Sequence, residues 1–333
     1  MPRPDDGRFR RTLAWISSHV EFLVALGALA LYASTVYPGV GGILNYGDSA
    51  KFQFLGRILG LSHPPGAPLY LLVTHLWSWL PLGVEPAVAM NLFSSVCASL
   101  ALALVFRTIR RLGVAMLPAL TAVVLLALTP VFWEFATEAE LYGPLCLCVA
   151  FFLHRMVIWW QDRRPRDLFI LLGGFFAAFG VHYLMVMLAP ALFWGLARGD
   201  WRLAVRPRSL LIIAILGLVA ALPLSYFGLR HDTAPYSEAP AVLDLDAYVG
   251  YILSRGFQNH MWKGTALEVL ALHPWQERVV FIDQMAIWGL ALAGIGLVVL
   301  AARRQAGLAA FLALGAALPL IFWSPPEQKA RSP

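Results

Sequence analysis

A succession of apolar stretches, most near the length of a bilayer crossing, constrains this chain more than any other feature. They lie near residues 14–36, 68–82, 87–106, 114–132, 141–160, 168–197, 209–229, 279–302 and 307–323. A hydrocarbon core about 30 Å thick needs ~20 apolar residues per helix. Inside lipid each backbone polar group must find its partner within the protein, so segments of this kind cross as helices. Composition points the same way. Of the 333 residues, 59% are hydrophobic and only 13% charged, against roughly 25% charged in a soluble domain. So few charges cannot solvate that much apolar surface. The expected class is an all-α polytopic membrane protein, a single transmembrane domain over 1–333.

A net charge of +6 raises the question of nucleic acid. The arginines answer it, because they fall in short clusters between apolar stretches: Arg107/Arg110/Arg111, Arg163/Arg164/Arg166, Arg198/Arg202/Arg206/Arg208 and Arg303/Arg304. That pattern reads as topology, with basic loops on the cytoplasmic side, and nucleic acid is not expected as a partner. Arg3, Arg8, Arg10 and Arg11 precede the first apolar stretch, which shows no small-residue cleavage site. It reads as a retained first helix behind a cytoplasmic segment 1–13. Cys97, Cys146 and Cys148 all lie within apolar stretches and read as small buried side chains, with no disulfide framework or thiolate metal site.

Parity then sharpens the topology. If 68–82 crossed the membrane, the helix at 87–106 would carry Arg107, Arg110 and Arg111 to the outside. If 68–82 only lies at the interface, residues 38–85 form one external segment and the basic cluster falls inside. The stretch HPPGAPLYLLVTHLWSWLPLG is short, bounded by proline and rich in Trp and Tyr, which favour interfaces. Parity also splits 168–197 into two spans broken near Gly180–Tyr183. The expectation is about 9 transmembrane helices. Interfacial helices lie in the first external loop, 38–85, and a second large external loop covers 230–277. The chain is expected in an inner or plasma membrane if bacterial, with its chemistry facing the periplasm or exterior.

The polar residues worth attention cluster on that external side. Asp48 and Lys51 follow the first span; an Asp there also suits a helix start. His63-Pro64-Pro65-Gly66-Ala67-Pro68 fixes a rigid turn, and His63 has a bland reading as a structural hydrogen-bonder. Glu134, Glu138 and Glu140 are three acids within seven positions of an acid-poor chain. On a helix, Glu134 and Glu138 would share a face, while Glu140 would suit the dipole of the next span. His182 in an apolar stretch needs a partner; it lines a polar cavity or caps the break. The 230–277 loop holds Arg230, His231, Asp232, Asp244, Asp246, Arg255, His260 and Lys263, the mixed charge usual for substrate contacts. Isolated external cations such as Arg230 and Arg255 are candidates for anion contact, though a solvated surface charge is the commoner role. No metal-ligand spacing or Gly-rich phosphate loop occurs in it, so nucleotide binding is not supported.

The stretch GDSAKFQFLGRILGLSHPPGAPLYLLVTHLWSWLPLG, with Asn91-Leu92 and Ser94-Ser95 after it, resembles the N-terminal signature of a membrane family of the transmembrane protein 260 kind. The likeness continues through FWEFATEAELY, GVHYLMVMLAP and LPLSYFGLR, over roughly residues 30–256. That family is protein O-mannosyltransferase-like and stands among the C-type glycosyltransferases. The resemblance implies transfer of mannose or another hexose from a polyprenyl-phosphate donor to a hydroxyl on a protein, glycan or lipid acceptor. Asp48 matches the acidic position and would be the general base. His63, Pro64, Pro65 and Gly66 match the loop that shapes the site. Glu140 and Tyr142 match an acidic-x-Tyr position beside Glu138, and His182 and Arg230 match as well. Arg230 or Arg255 would pair with the donor phosphate.

Two departures stand out. Lys51 occupies a position that is commonly acidic in the family, which leaves the acid–base details and the use of a divalent metal open. The region YSEAPAVLDLDAY stands where a Trp-Gly-x-Pro element is frequent, which bears on acceptor recognition. No cofactor is assigned. The runner-up function is a polytopic transporter or lipid-linked-sugar flippase. It predicts inverted repeats and interrupted helices near the midplane, whereas no internal repeat is evident here.

Overall fold

The structure is a computed structural model that describes residues 19–42, 46–242, 244–256, 289, 291–302, 305 and 307–313. The described residues are helical throughout, with one isolated bridge between Leu61 and Ser237 and no strand. In chain order the helices are α1 Val20–Ser34, α2 Tyr46–Ile58, α3 Pro68–Trp77, α4 Pro86–Arg111, α5 Met116–Ala127, α6 Pro130–Thr137, α7 Tyr142–Asp162 and α8 Pro165–Ala178. A 3-10 turn, Tyr183–Leu188, runs into α9 Ala189–Arg198. Then come α10 Trp201–Ala204, α11 Pro207–Ala221, α12 Ser225–Arg230 and α13 Leu245–Ile252. Helices α3, α4, α6, α8 and α11 all begin on proline. There the missing N–H is no loss and the fixed φ suits the helix. Helix α4 ends where Gly113 takes φ +85° and its N–H bonds to the Arg110 carbonyl, a left-handed stop that glycine allows without strain.

Among the described residues, three helices are long and apolar enough to cross a membrane: Pro86–Arg111, Tyr142–Asp162 and the continuous run Pro207–Arg230. The pair α5 and α6, bent by 69° at Leu128–Thr129, makes a fourth if it counts as one broken span. These fall short of the nine expected. Helix α1 and the Tyr183–Arg198 segment are shorter than a crossing needs. Most of 279–290 and 314–323 lies outside the described residues, as do the N-terminal segment 1–13 and much of loop 230–277. Helix α3 has only 10 residues, or ~15 Å at 1.5 Å per residue. That is half a hydrocarbon core, in keeping with a segment that does not cross.

Successive segments alternate in direction between two ends. Glu21, at the start of α1, lies 4.0 Å from Arg107 near the end of α4. Arg111 pairs with Asp162 at 2.6 Å, which puts the C-terminal ends of α4 and α7 together. The Trp160 indole donates to the Gly195 carbonyl at 2.9 Å, so α9 ends there too. The arginine clusters that cap these helices therefore share one end. At the other end, the break expected in 168–197 is present: α8 stops at Ala178, and the Gly180 carbonyl accepts the Leu69 and Tyr70 N–H groups that open α3. A Cβ on Gly180 would stand 2.7 Å from that of Leu69, so only glycine allows this approach. One buried cluster fills the arginine end around Trp159, Leu171 and Phe311. Another, around Phe52, Tyr70, Phe93 and Phe227, forms the floor of the opposite end.

Candidate active site

At the end opposite the arginines, α2 brings Asp48 and Lys51 onto one face, three residues apart. The Lys51 ammonium lies 2.7 Å from Asp48 Oδ1 and 3.1 and 3.2 Å from the two carboxylate oxygens of Glu238. Burial opposes the Lys51 charge, but hydrogen bonds and attraction from Asp48 and Glu238 outweigh it and raise its pKa. The same ammonium sits where it favours an ionised Asp48. Glu238 also accepts from the Tyr236 hydroxyl at 3.2 Å and lies 4.0 Å from His63 Nδ1. Loop 61–67 meets the Tyr236–Glu238 segment through Leu61 N–H to Tyr236 O, 2.9 Å, and Glu238 N–H to Leu61 O, 3.1 Å. Pro65, joined to Pro64 by a cis peptide bond, and Gly66 at φ +90° shape this loop. A Cβ on Gly66 would lie 2.2 Å from the Phe227 ring, so the turn needs glycine for space as well as conformation.

The second arm of the site is Glu138-Ala139-Glu140. Glu138 was expected on a helical face with Glu134. Instead α6 ends at Thr137, and Glu138 is extended at φ −124°, ψ 149°. Its carboxylate leaves that face and reaches Ser49 Oγ at 3.4 Å, while Glu140 Oε1 reaches the same hydroxyl at 3.3 Å. Ser49, Glu138 and Glu140 are buried. One hydroxyl carries one proton and can donate it to only one carboxylate. The other contact is favourable only if that carboxyl holds a proton of its own. Glu140 fills this role: burial above all, then the charges of Asp48 and Glu138, push its pKa up to about 7. The charge of Asp48 is felt at Glu140, so the two arms lie close together.

An amide network fixes this geometry. Asn91 Oδ1, fully buried, accepts the Ala139 N–H at 2.9 Å and the Gln53 side-chain amide at 3.0 Å. Its own amide donates to Tyr37 O at 2.8 Å. Asn91 thereby clamps the backbone between the two glutamates to α2, α4 and the segment after α1. Gly42 lies so close to Glu138 that a Cβ there would stand 2.1 Å from Oε2.

His182 and Tyr142 close the site on the α8 side. His182 Nδ1 accepts the Leu184 N–H at 3.1 Å, capping the 3-10 turn. Burial first, and the His63 charge second, lower its pKa to about 4. It is therefore a neutral ring with its proton on Nε2. Its ring lies 5.5 Å from Tyr142, which stacks on Phe135 at 4.6 Å. Of the two expected roles of His182, the cap is present, and the ring also stacks against Tyr183 at 5.1 Å.

The two arginines are placed differently. Arg230 Nε donates to Leu59 O at 3.1 Å, just past the far end of α2. Eleven residues of helix separate this point from Asp48, about 16 Å. Arg255 pairs with Asp246 at 2.6 Å, both well exposed. Glu238, Ser49 and Gln53 escaped the sequence reading. For Glu238 one signal existed: a lysine at a commonly acidic position calls for an acid elsewhere. Among the described residues, no group of three or more His, Cys, Asp or Glu side chains is arranged to hold a metal ion.

Comparison with known proteins covers most of these residues. Residues 48–204 match the family model described as the protein O-mannosyl-transferase TMEM260 N-terminal domain. The matched segment opens on Asp48 and contains Lys51, His63, Pro65, Glu138, Glu140, Tyr142 and His182, but not Arg230, Glu238 or Arg255. The protein O-mannosyl-transferase tmem260 of Dictyostelium discoideum is 22% identical over 189 residues, which cover 52% of this chain and 22% of that protein. The chain thus matches about a fifth of the length of this curated relative. No solved structure matches it. Through the segment that carries its acidic site, the chain is similar to the TMEM260-like family.

Proposed function

We propose that this chain is a membrane glycosyltransferase that moves mannose or another hexose from a polyprenyl-phosphate donor to an acceptor hydroxyl on the non-cytoplasmic side. One observation carries the reading. Asp48 is a partly exposed carboxylate held beside an ammonium, next to a second carboxyl, Glu140, whose burial and neighbouring charges raise its pKa to about 7. A carboxyl whose pKa is raised beside a second carboxylate is a common basis for dividing acid and base roles. The arginine clusters share the opposite end, so the positive-inside rule puts the acidic end outside.

In this reading Asp48 takes the proton of the acceptor hydroxyl as its oxygen bonds to the anomeric carbon. The bond from that carbon to the phosphate oxygen breaks, its electrons leave with the polyprenyl phosphate, and configuration inverts. A positioned general base supplies about 10²–10⁴-fold. Glu140, as a neutral acid, donates a hydrogen bond to a sugar or acceptor oxygen. Lys51 and His63 are the cationic or ionisable groups beside Asp48; Arg230 stands a helix length away and suits the distal, lipid side of the donor phosphate. A lipid-borne donor also accounts for the lack of a nucleotide loop in the sequence.

The test is transfer by the purified chain from radiolabelled polyprenyl-phosphate mannose to peptide, glycan and lipid acceptors. Asp48→Asn should lower turnover at least 100-fold with unchanged yield and thermal stability. Near-normal turnover in D48N would remove Asp48 as base. Scrambling of the lipid across vesicles without transfer would favour the flippase instead.

A further inference from the structure

At the end opposite the acidic site, the structure holds a cavity of about 250 Å³ between α1, α4, α5 and α7. Its polar wall is Arg107, Arg110, Arg111, His154 and Glu21. Its apolar wall is Phe106, Met116 and Ile158. From this geometry we infer that the cavity binds the phosphate headgroup of an anionic phospholipid, with the acyl chains leaving along the apolar wall. The inference concerns a second site and does not depend on the proposed transferase reaction.

The charge balance favours an anion. Arg111 is engaged by Asp162 at 2.6 Å, and Arg107 meets Glu21 only loosely, at 4.0 Å. Arg110 gives one N–H to the Val114 carbonyl and forms no ion pair with any described residue. Each guanidinium has five donors, so most of these point to no acid. His154 comes from a different helix and is buried. The Thr108 hydroxyl spends its proton on Leu104 O at 2.6 Å, so its contact with His154 Nδ1 at 3.1 Å makes Nδ1 the donor. Nε2 is then an acceptor, so the ring shapes the wall of the cavity and the arginines supply its donors.

Position and size choose the ligand. Helix α4 has 26 residues, or ~39 Å, against about 30 Å of hydrocarbon. Its last turns, with all three arginines, stand at headgroup depth. The cavity equals about eight waters at ~30 Å³ each, more than one inorganic phosphate needs. The positive-inside pattern alone asks only for charge near this end. It does not ask that three arginines converge on one hollow between four helices with an apolar side. Basic pockets between transmembrane helices are known to take anionic headgroups.

The experiment uses the full chain in zwitterionic detergent, with native mass spectrometry and thermal unfolding. The probes are phosphatidylglycerol, phosphatidylcholine and inorganic phosphate. Phosphatidylglycerol should stay bound and raise the unfolding temperature, while phosphatidylcholine and phosphate should do neither. In R107Q/R110Q the lipid should bind about ten-fold more weakly. R206Q/R208Q removes two charges from the same end without touching the cavity and should bind as the unaltered chain does. If the double variant does not yield folded protein, R110Q alone serves, since that side chain is exposed and holds only a loop carbonyl. Equal binding of both phospholipids, protection by phosphate alone, or equal loss in R206Q/R208Q would overturn the inference.

Discussion

Glutamine at position 140 offers a direct measure of how strongly the fold opposes a charge there. Glu140 is buried, shares Ser49 with Glu138, and titrates at about 7 where an ordinary glutamate titrates at 4.5. A displacement of that size corresponds to ~3 kcal/mol against the ionised form. The sign follows from proton counting. Between the two pKa values the unfolded chain has released its proton and the folded chain has kept it, so stability declines as pH rises. The contribution is fully present below about 4.5 and has been lost once pH passes about 7. Glutamine keeps the shape of the protonated acid and cannot ionise. Chemical unfolding in detergent, followed from pH 4.5 to 8, should show E140Q equal to the unaltered chain at the acid end. At pH 8 it should be more stable by about 3 kcal/mol. A flat difference across that range would refute the proton assigned to Glu140. So would a variant that loses stability with pH in parallel with the unaltered chain.

Three further substitutions probe the frame around it. Lys51→Met, Glu238→Gln and their combination should give a coupling of about 1–2 kcal/mol by a double-mutant cycle, the scale of hydrogen bonds to charged groups; zero coupling would mean that the ammonium does not join α2 to the 231–244 loop. Asn91→Ala removes the acceptor for the Ala139 and Gln53 N–H groups and the donor to Tyr37 O. It should cost roughly 3 kcal/mol through buried polar groups left unpaired, read as a loss of unfolding free energy, and a cost below ~1 kcal/mol would show the clamp to be dispensable.

Much of the scaffold could be read from the sequence because its causes are local. Apolar length marks α4, α7 and α11, and prolines mark where helices start. Gly180 with His182 marks the break, because a helix of that apolar length between two arginine clusters fails on parity. The Asp48 and His63 segments were legible for the same reason: they are dense in turn and charge signals within a few residues. Glu138 was misplaced because helical periodicity assumes the helix continues, and α6 stops one residue earlier. Glu238 lies 187 positions from Lys51, and nothing near it in sequence separates it from Asp244 or Asp246. The packing of Tyr226, Phe227 and Tyr251 against the His63 loop, with the Leu61 backbone bonds to Tyr236 and Glu238, brings it in. Arg230 depends on packing as well: its segment meets the first loop at Leu59, just past the end of α2 away from Asp48.

These placements bear on how an anionic donor enters so acidic a site. Asp48, Glu138, Glu140 and Glu238 face inward together with Lys51. The lysine at a commonly acidic position reverses one charge, and the proton on Glu140 removes another. Both changes lessen repulsion of an incoming sugar phosphate. Above pH 7 Glu140 gives up its proton, and one more negative charge then faces the donor. If the proposed reaction holds, KM for the polyprenyl-phosphate sugar should climb between pH 6.5 and 8.5, while kcat, governed by Asp48, changes less. In E140Q that climb should vanish. A KM that rises equally in E140Q would place the titrating group elsewhere. A KM that stays level in both would mean that the donor phosphate binds beyond the reach of this carboxyl, toward Arg230. The pH profile therefore separates a phosphate seated between Lys51 and His63 from one seated at the far end of α2.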